Sequence, residues 1–484
     1  MIMLLTLSGA WAASKLVTGR EWQAFLLAII PASELAIGLV QWLVARLAPP
    51  RLMPRFELKD GVPEEGRTMV IVPTLITNVS GIESLIEHLA VLAFGNSDPL
   101  VHFAILSDFA DAPTEVMPED AALLDAAKTG IERLNARHGD GHEDRFFLFH
   151  RARQWNAKEG CWMGWERKRG KIEEFNDLLR GAGGTTYTVQ VGDTAVLPKI
   201  RFCITLDTDT LLPRDAARKL IGIALHPLNR PRYEPEAGRV TDGYGILQPR
   251  VSVALSSAAG SRFSQIFSGH TGVDPYTTAV SDTYQDLFGE GIFTGKGLYD
   301  VDAFMAALAE RVPENALLSH DLFEGVHARA ALVSDVEVVD DYPSGFLAHS
   351  RRQHRWVRGD WQILMWILPW VPSRTGIQRD RLPLIARWKI LDNLRRSLVP
   401  PAMYLLLAAA WLVLPGKPLA LTLAALSTMS LPLVRELVSF LRGPAPQQTL
   451  GVYLRLTVED LATAAGQVLL SIAFLPYHAY QMLD

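Results

Sequence analysis

Asp207-Thr208-Asp209 places two carboxylates one residue apart at the end of the apolar run Phe202-Cys203-Ile204-Thr205-Leu206. In extended chain, side chains at i and i+2 share a face, so both carboxylates point together. Such a pair at the C-terminal end of a buried strand can hold a hard cation and, through it, phosphate oxygens. A turn with solvated aspartates is the other reading of these residues. Asp108, in Leu106-Ser107-Asp108-Phe109, ends a second apolar run. There it can accept a hydrogen bond from a nucleobase or sugar, or cap a helix. Arg167-Lys168-Arg169-Gly170-Lys171 gathers four cations around a glycine just before a predicted helix, which suits a diphosphate or a solvated basic turn.

Three further stretches carry polar groups in useful company. Ser319-His320-Asp321 precedes a helix, so Asp321 is a general base toward a substrate hydroxyl or an N-cap. Phe293-Thr294-Gly295-Lys296-Gly297 reads as a flexible cationic loop, with Lys296 and Gly297 able to shape an acceptor site, or as a plain turn. Arg351-Arg352-Gln353-His354-Arg355-Trp356-Val357-Arg358-Gly359-Asp360-Trp361 mixes arginine and tryptophan, a combination that suits a nucleotide diphosphate beside a stacked sugar ring. Trp356, Trp361, Trp366 and Trp370 recur through 356–372, a stretch apolar enough for a membrane interface, and Trp366 and Trp370 read as anchors there.

The elements that position these groups alternate. Residues 68–75 and 101–106 read as buried strands, and 82–94, 120–138 and 171–180 as helices. Residues 181–198 read as a Gly/Thr-rich hairpin-like insertion, 246–255 and 290–294 as short strands, and 300–310 as a helix. Strand, helix, strand with polar residues at the strand ends is the pattern of an α/β, doubly wound sheet.

The 484 residues exceed one ordinary domain, and a net charge of −5 gives no global field to recruit nucleic acid. Two cysteines exclude a disulfide framework, and Cys203, inside an apolar run, reads as a reduced, packed thiol. Mean hydropathy of +0.13 is high because the ends are apolar. Residues 1–17 form a short apolar segment, and 22–47 are long enough to cross a bilayer if Pro31 and Glu34 pack against neighbouring helices. Residues 398–414, 418–441 and 456–479 are three more candidate spans. Arg46, Arg51, Arg55 and Lys59, with Arg387, Lys389, Arg395 and Arg396, place the intervening body on the cytoplasmic side. The expected organisation is 1–48 in membrane helices, 49–397 as a cytoplasmic domain, and 398–484 again in membrane helices.

Taken together and in order, VIVPTL (70–75), SDFADAP (107–113), WMGWERKRGKIEEFN (162–176), TLDTDTLLPRDAA (205–217), FTGKGLYDVDAF (293–304) and HRWVRGDWQ (354–362) resemble the processive, membrane-bound family-2-like glycosyltransferases. The likeness is nearer to the glycosyltransferase domain of bacterial cyclic β-1,2-glucan synthases, and it covers most of the central domain. The resemblance implies a GT-A-like mixed sheet, a divalent cation (Mg2+ or Mn2+), and inverting transfer of glucose from UDP-glucose to a β-1,2-glucan at the bacterial inner membrane. By similarity, Asp108 reads the uridine, and Lys168, Arg169, Lys171 and Arg355 lie by the phosphates. Asp207 and Asp209 serve the donor and the metal, Asp321 deprotonates the acceptor, and Trp356, with Gln353, Lys296 and Gly297, meets the acceptor sugar.

Two departures accompany the likeness. Related synthases carry Gln-x-x-Arg-Trp, whereas position 352 is Arg. The cyclic glucan synthases continue into further carbohydrate-active domains, so a chain ending at Asp484 is a stand-alone enzyme with a linear product or one piece of a larger polypeptide or complex. Two alternatives belong to other classes. Asp-x-Asp-x-Thr also opens haloacid-dehalogenase phosphatases, where Asp207 would be nucleophile, Asp209 acid/base, and Asp340-Asp341 the late acidic pair. A membrane scaffold that binds nucleotide or glucan without chemistry is the other.

Overall fold

The computed structural model describes residues 1–138, 144–268, 282–441, 443–444 and 448–484; the middle of the Gly/Pro linker expected after 441 lies outside them. Its centre is an eight-stranded mixed sheet. In chain order the strands are β1 (Thr68–Ile76), β2 (Val101–Phe109), β3 (Phe146–Arg151), β4 (Tyr187–Val191), β5 (Phe202–Thr205), β6 (Ile246–Val253), β7 (Gly297–Asp300) and β8 (Ala330–Asp340). Across the sheet the order is β8-β6-β7-β5-β1-β2-β3-β4. β1 runs parallel to both β2 and β5, while β7 is antiparallel to β5 and β6.

β1 is apolar at nearly every position because both of its faces are covered. Val70 and Val72 pack with Leu85 and Leu89 of the helix Val79–Gly95 and with Leu220 of the helix Ala216–Leu225. Met69 and Ile71 face the other way, toward Ile172, Phe175 and Leu179 of the helix Arg167–Leu179. Asn78 caps the first of these helices, its side chain accepting from the Gly81 amide at 2.7 Å. A doubly covered sheet leaves only its strand ends open, so Asp108 and Asp207, which leave parallel strands flanking β1, emerge at one edge.

Several expectations need correction. Residues 181–198 are no hairpin: Tyr187–Val191 joins the main sheet beside β3, and a 3-10 turn follows. Residues 290–294 form no strand; the strand begins at Gly297, just after them, where the chain pairs with β5. Trp366 is only 2% exposed and packs edge-on against Phe323 inside the domain, so it anchors core rather than membrane, whereas Trp370 is 60% exposed. Lys389 is equally internal, donating to the carbonyls of Glu290 and Gly291 at 3.1 and 2.8 Å.

Among the described residues, two helices are long and apolar enough to cross a membrane, Glu21–Leu47 and Leu450–Gln481. The segment expected to span as 418–441 is a pair, Pro418–Met429 and Leu431–Leu441, bent by 68°; counted as one span, it makes three. Residues 398–414 fall mostly within one continuous helix, Leu384–Leu412, whose first half carries Arg387, Lys389, Arg395 and Arg396. That helix therefore crosses the expected domain boundary without a break. Ile2–Ser14 folds back on the next helix, and Ala10, Ala24, Ala28, Met403, Leu406, Leu421 and Leu475 share one apolar cluster. Glu34 meets Arg395 Nη1 at 2.8 Å, so the expected helix partner for this acid is present.

Trp366→Ala should lower the stability of the solubilised protein by about 3–5 kcal/mol, whereas Trp370→Ala should cost under about 1 kcal/mol, read as denaturation midpoints. Burial pushes the Cys203 thiol up to about 12. At pH 7.5 a maleimide should therefore modify only the half-buried Cys161 in native protein, and both thiols after denaturation.

Candidate active site

Beyond the ends of β5 and β8 the backbone forms one more bridge, Leu211 to Val339, with N–O distances of 2.7 and 3.0 Å. That bridge brings the Asp207-Thr208-Asp209 turn against Asp340. Asp340 is fully buried, and its Oδ1 accepts from Thr210 Oγ1 at 2.6 Å while Oδ2 takes the Lys296 ammonium. Lys296 Nζ also lies 3.1 Å from Asp207 Oδ2, and Lys168 Nζ closes on Asp207 Oδ1 at 2.6 Å. Burial alone would raise the Asp207 pKa, but the two ammonium groups hold it well below the ordinary carboxylate range. Asp209 differs. It is exposed, and burial of its surroundings together with Asp340 raises its pKa, only partly offset by Lys296.

Asp321 begins the helix Asp321–Ala328 and is half-buried. Its charge acts on Lys168, as does that of Asp207, so the two carboxylates share one cation. Gly295, at φ +84°, lies so close that a Cβ there would be 2.7 Å from Asp321 Oδ1. Beside Asp321, His320 Nδ1 bonds Glu324 Oε1 at 2.7 Å and stands 3.7 Å from Asp321 Oδ1. Burial disfavours the His320 cation, but the Glu324 carboxylate raises its pKa overall. His320, Asp321 and Glu324 have ligand atoms within 4.8 Å of one another. His320 Nδ1 is already bonded to Glu324, so the buried His320–Glu324 pair forms a fixed polar wall beside Asp321.

The helix Phe346–Gln362 closes the cleft from the other side. Gly359 is buried, and a Cβ on it would sit 2.8 Å from the Ser319 amide nitrogen, so the helix reaches the Ser319–Asp321 loop only because this residue has no side chain. Gln362 Oε1 accepts from the Leu318 amide at 2.6 Å, fixing the same contact. Nearer the start of this helix, Arg352 Nη2 is 3.7 Å from Asp340 Oδ2 and its guanidinium lies over the Trp356 ring, 4.8 Å from the centroid. Arg355 is exposed on this helix, and Gln353 is half-buried.

The structure thus gathers Asp207, Asp209, Lys168, Lys296 and Asp321 in one cleft, with Trp356 at its side. Other expected positions are corrected. Asp108 does not face the open cleft: Arg151 grips both its oxygens at 2.8 Å, and Lys171 Nζ sits 3.1 Å away. Lys171 is buried, and desolvation lowers its pKa to about 8 even beside Asp108, so it serves this internal cluster rather than phosphates. Arg169 turns to Glu166 and Glu173 at 2.7 and 2.8 Å. Lys296 is a buried clamp and Gly297 the first residue of β7, so neither belongs to a flexible acceptor loop. Asp341, needed for the phosphatase alternative, is exposed and accepts from Ser257.

Sequence reasoning missed Asp340 as part of a transferase site. Its signal was available, because an alternating run, Val333-Ser334-Asp335-Val336-Glu337-Val338, leads to an acid at a strand end, as for Asp108. Arg151 ends β3, a strand the sequence reading left unassigned.

No protein-family model matches the chain. Across 471 residues, 96% of its length, it is 42% identical to the cyclic β-(1,2)-glucan synthase NdvB of Rhizobium meliloti (strain 1021). The chain is homologous to a segment of the cyclic β-1,2-glucan synthases. It spans 16% of the length of that relative. The resemblance read from the motifs is thereby shown to extend over nearly every residue, apolar ends included.

Gly295→Ala should destabilise the protein by about 1–3 kcal/mol, since an L-residue is strained at this φ and the new methyl displaces Asp321. The denaturation midpoint checks it; an unchanged midpoint would mean that the loop is not held against the base.

Proposed function

We propose that this chain is a GT-A-like glycosyltransferase that moves glucose from UDP-glucose to a growing β-1,2-glucan, inverting the anomeric centre, at the cytoplasmic face of a bacterial inner membrane. The observation that carries this reading is the 42% identity to a β-1,2-glucan synthase along 96% of the chain. The convergence of acid, base and cations in one cleft supports it.

In this reading Asp321 removes the proton from an acceptor hydroxyl as that oxygen attacks the anomeric carbon. The carbon–oxygen bond to the diphosphate breaks on the opposite face, and UDP leaves. Lys168 and the exposed Arg355 provide positive charge for the departing diphosphate, and Trp356 offers a ring face for the acceptor sugar. A divalent cation fits the donor set at Asp209, where an exposed carboxylate carries repulsion from Asp340 and Asp207 that Lys296 only partly relieves. It fits Asp207 less well, since both oxygens already meet ammonium groups. When bound, such an ion supplies Lewis acidity toward diphosphate oxygens.

The test is incubation of membranes holding the full chain with UDP-glucose and Mg2+ or Mn2+, followed by linkage analysis of the polymer. A 1,2-linked glucan is expected, and Asp321→Asn should lower transfer by about 10²–10⁴-fold while UDP binding persists. A different sugar nucleotide as the sole donor, or full activity in Asp321→Asn, would overturn the assignment.

A further inference from the structure

Asp340 is unusual among the acids of the cleft because it makes no approach to solvent, yet all of its acceptor capacity is directed at groups on three separate elements. Thr210 comes from the turn after β5, Lys296 from the loop before β7, and Arg352 from the helix Phe346–Gln362. Lys296 carries the link onward to Asp207, the donor-side carboxylate. Arg352 carries it the other way, to the face of Trp356.

We propose that Asp340 and Arg352 are a positioning pair that couples the donor carboxylates to the acceptor platform, with Arg352 setting the orientation of the Trp356 ring. The proposal rests on the transferase reading above and assigns roles to two residues that the reading does not use. A neutral side chain at 352 could hydrogen-bond Asp340 but would leave the ring without its cation. A buried carboxylate that loses a cation also keeps an uncompensated charge, so the arrangement tolerates Arg better than smaller polar residues. Four carboxylates (Asp207, Asp209, Asp321, Asp340) meet three cations (Lys168, Lys296, Arg352) across the cleft. Removing one cation therefore disturbs both sides unless the partners are far enough apart to act separately.

Here they are separable, and the experiment uses that. In the full chain, UDP and a β-1,2-linked gluco-oligosaccharide are titrated separately, alongside the transfer assay. Arg352→Met should weaken oligosaccharide binding at least 10-fold and UDP binding less than 2-fold. Arg352→Lys, which keeps the charge beside Asp340, should regain most of the loss. Asp340→Asn, which also releases Lys296 from its second carboxylate, should weaken both ligands. Because Arg352 acts through the ring, Arg352→Met should add little to Trp356→Ala. Equal weakening of both ligands by Arg352→Met, or additive effects with Trp356→Ala, would overturn the pair. Intact titrations in a wild-type chain that transfers nothing from UDP-glucose would count against the proposed function alone, with the pair still decided by the binding data.

Discussion

A carboxylate taken out of water must meet a cation or give up its charge, and this cleft is built on the first choice. Lys168, Asp207, Lys296 and Asp340 form an unbroken alternation of charge. None of the four could be buried to this extent alone. Asp207 stays ionised because two ammonium groups outweigh its desolvation. Lys296 is accommodated in the interior because two carboxylates share it. A chain of this kind fixes the relative positions of the helix Arg167–Leu179, the turn after β5, the loop before β7 and the end of β8, since any one moving away leaves an unpaired buried charge. Asp209, next to this chain and exposed, has its charge only partly answered by Lys296, and so it is the group with something to offer a ligand.

The sheet makes the alternation possible. Parallel β1, β2 and β5 bring their C-terminal ends to one edge, and the added Leu211–Val339 bridge draws in the end of β8 from across the sheet. At the same edge a second buried cluster, Asp108 with Arg151, Lys171 and Glu174, stiffens the ends of β2 and β3. The two clusters divide the work: one is sealed and structural, the other opens to solvent at Asp209, Lys168 and Asp321.

Much of this was legible from residues alone, for identifiable reasons. The strand at Thr68–Ile76 and the helix at Asp120–His138 follow from local apolar pattern, and the acids at strand ends follow from where open sheets bind ligands. What was not legible is which charge meets which. Lys168, Arg169 and Lys171 are neighbours in one basic run, yet helical geometry sends the first to Asp207, the second to Glu166 and Glu173, and the third to Asp108. A run of cations carries no record of that division. Trp366 was misread for a related reason: an apolar stretch with tryptophans reads alike at a membrane surface and in a core, and only its packing against Phe323 decides.

The helix Phe346–Gln362 connects this chemistry to the apolar bundle. Trp361 Nε1 donates to Ser397 Oγ at 3.0 Å, and Asn393 Nδ2 donates to Asp360 Oδ1 at 3.0 Å, so its C-terminal end is fastened to the helix Leu384–Leu412. Its N-terminal end is fastened as well, Ser350 and Gln481 exchanging hydrogen bonds in a buried contact with the last helix. Between these two attachments lie Arg352, which approaches Asp340 and covers the Trp356 ring, and Gly359, which packs against Ser319. The Arg352 side of the cleft is therefore held from the apolar helices, while the Asp207 side is held from the sheet, and the Asp340–Arg352 contact is where the two supports meet. A chain whose ends were only anchors would not need its central helix tied at both ends to them. The sequence spends polar residues inside an apolar bundle on those ties, at a cost offset by their mutual hydrogen bonds. That is the pattern expected where the position of a helix, rather than its mere attachment, matters to the site beside it.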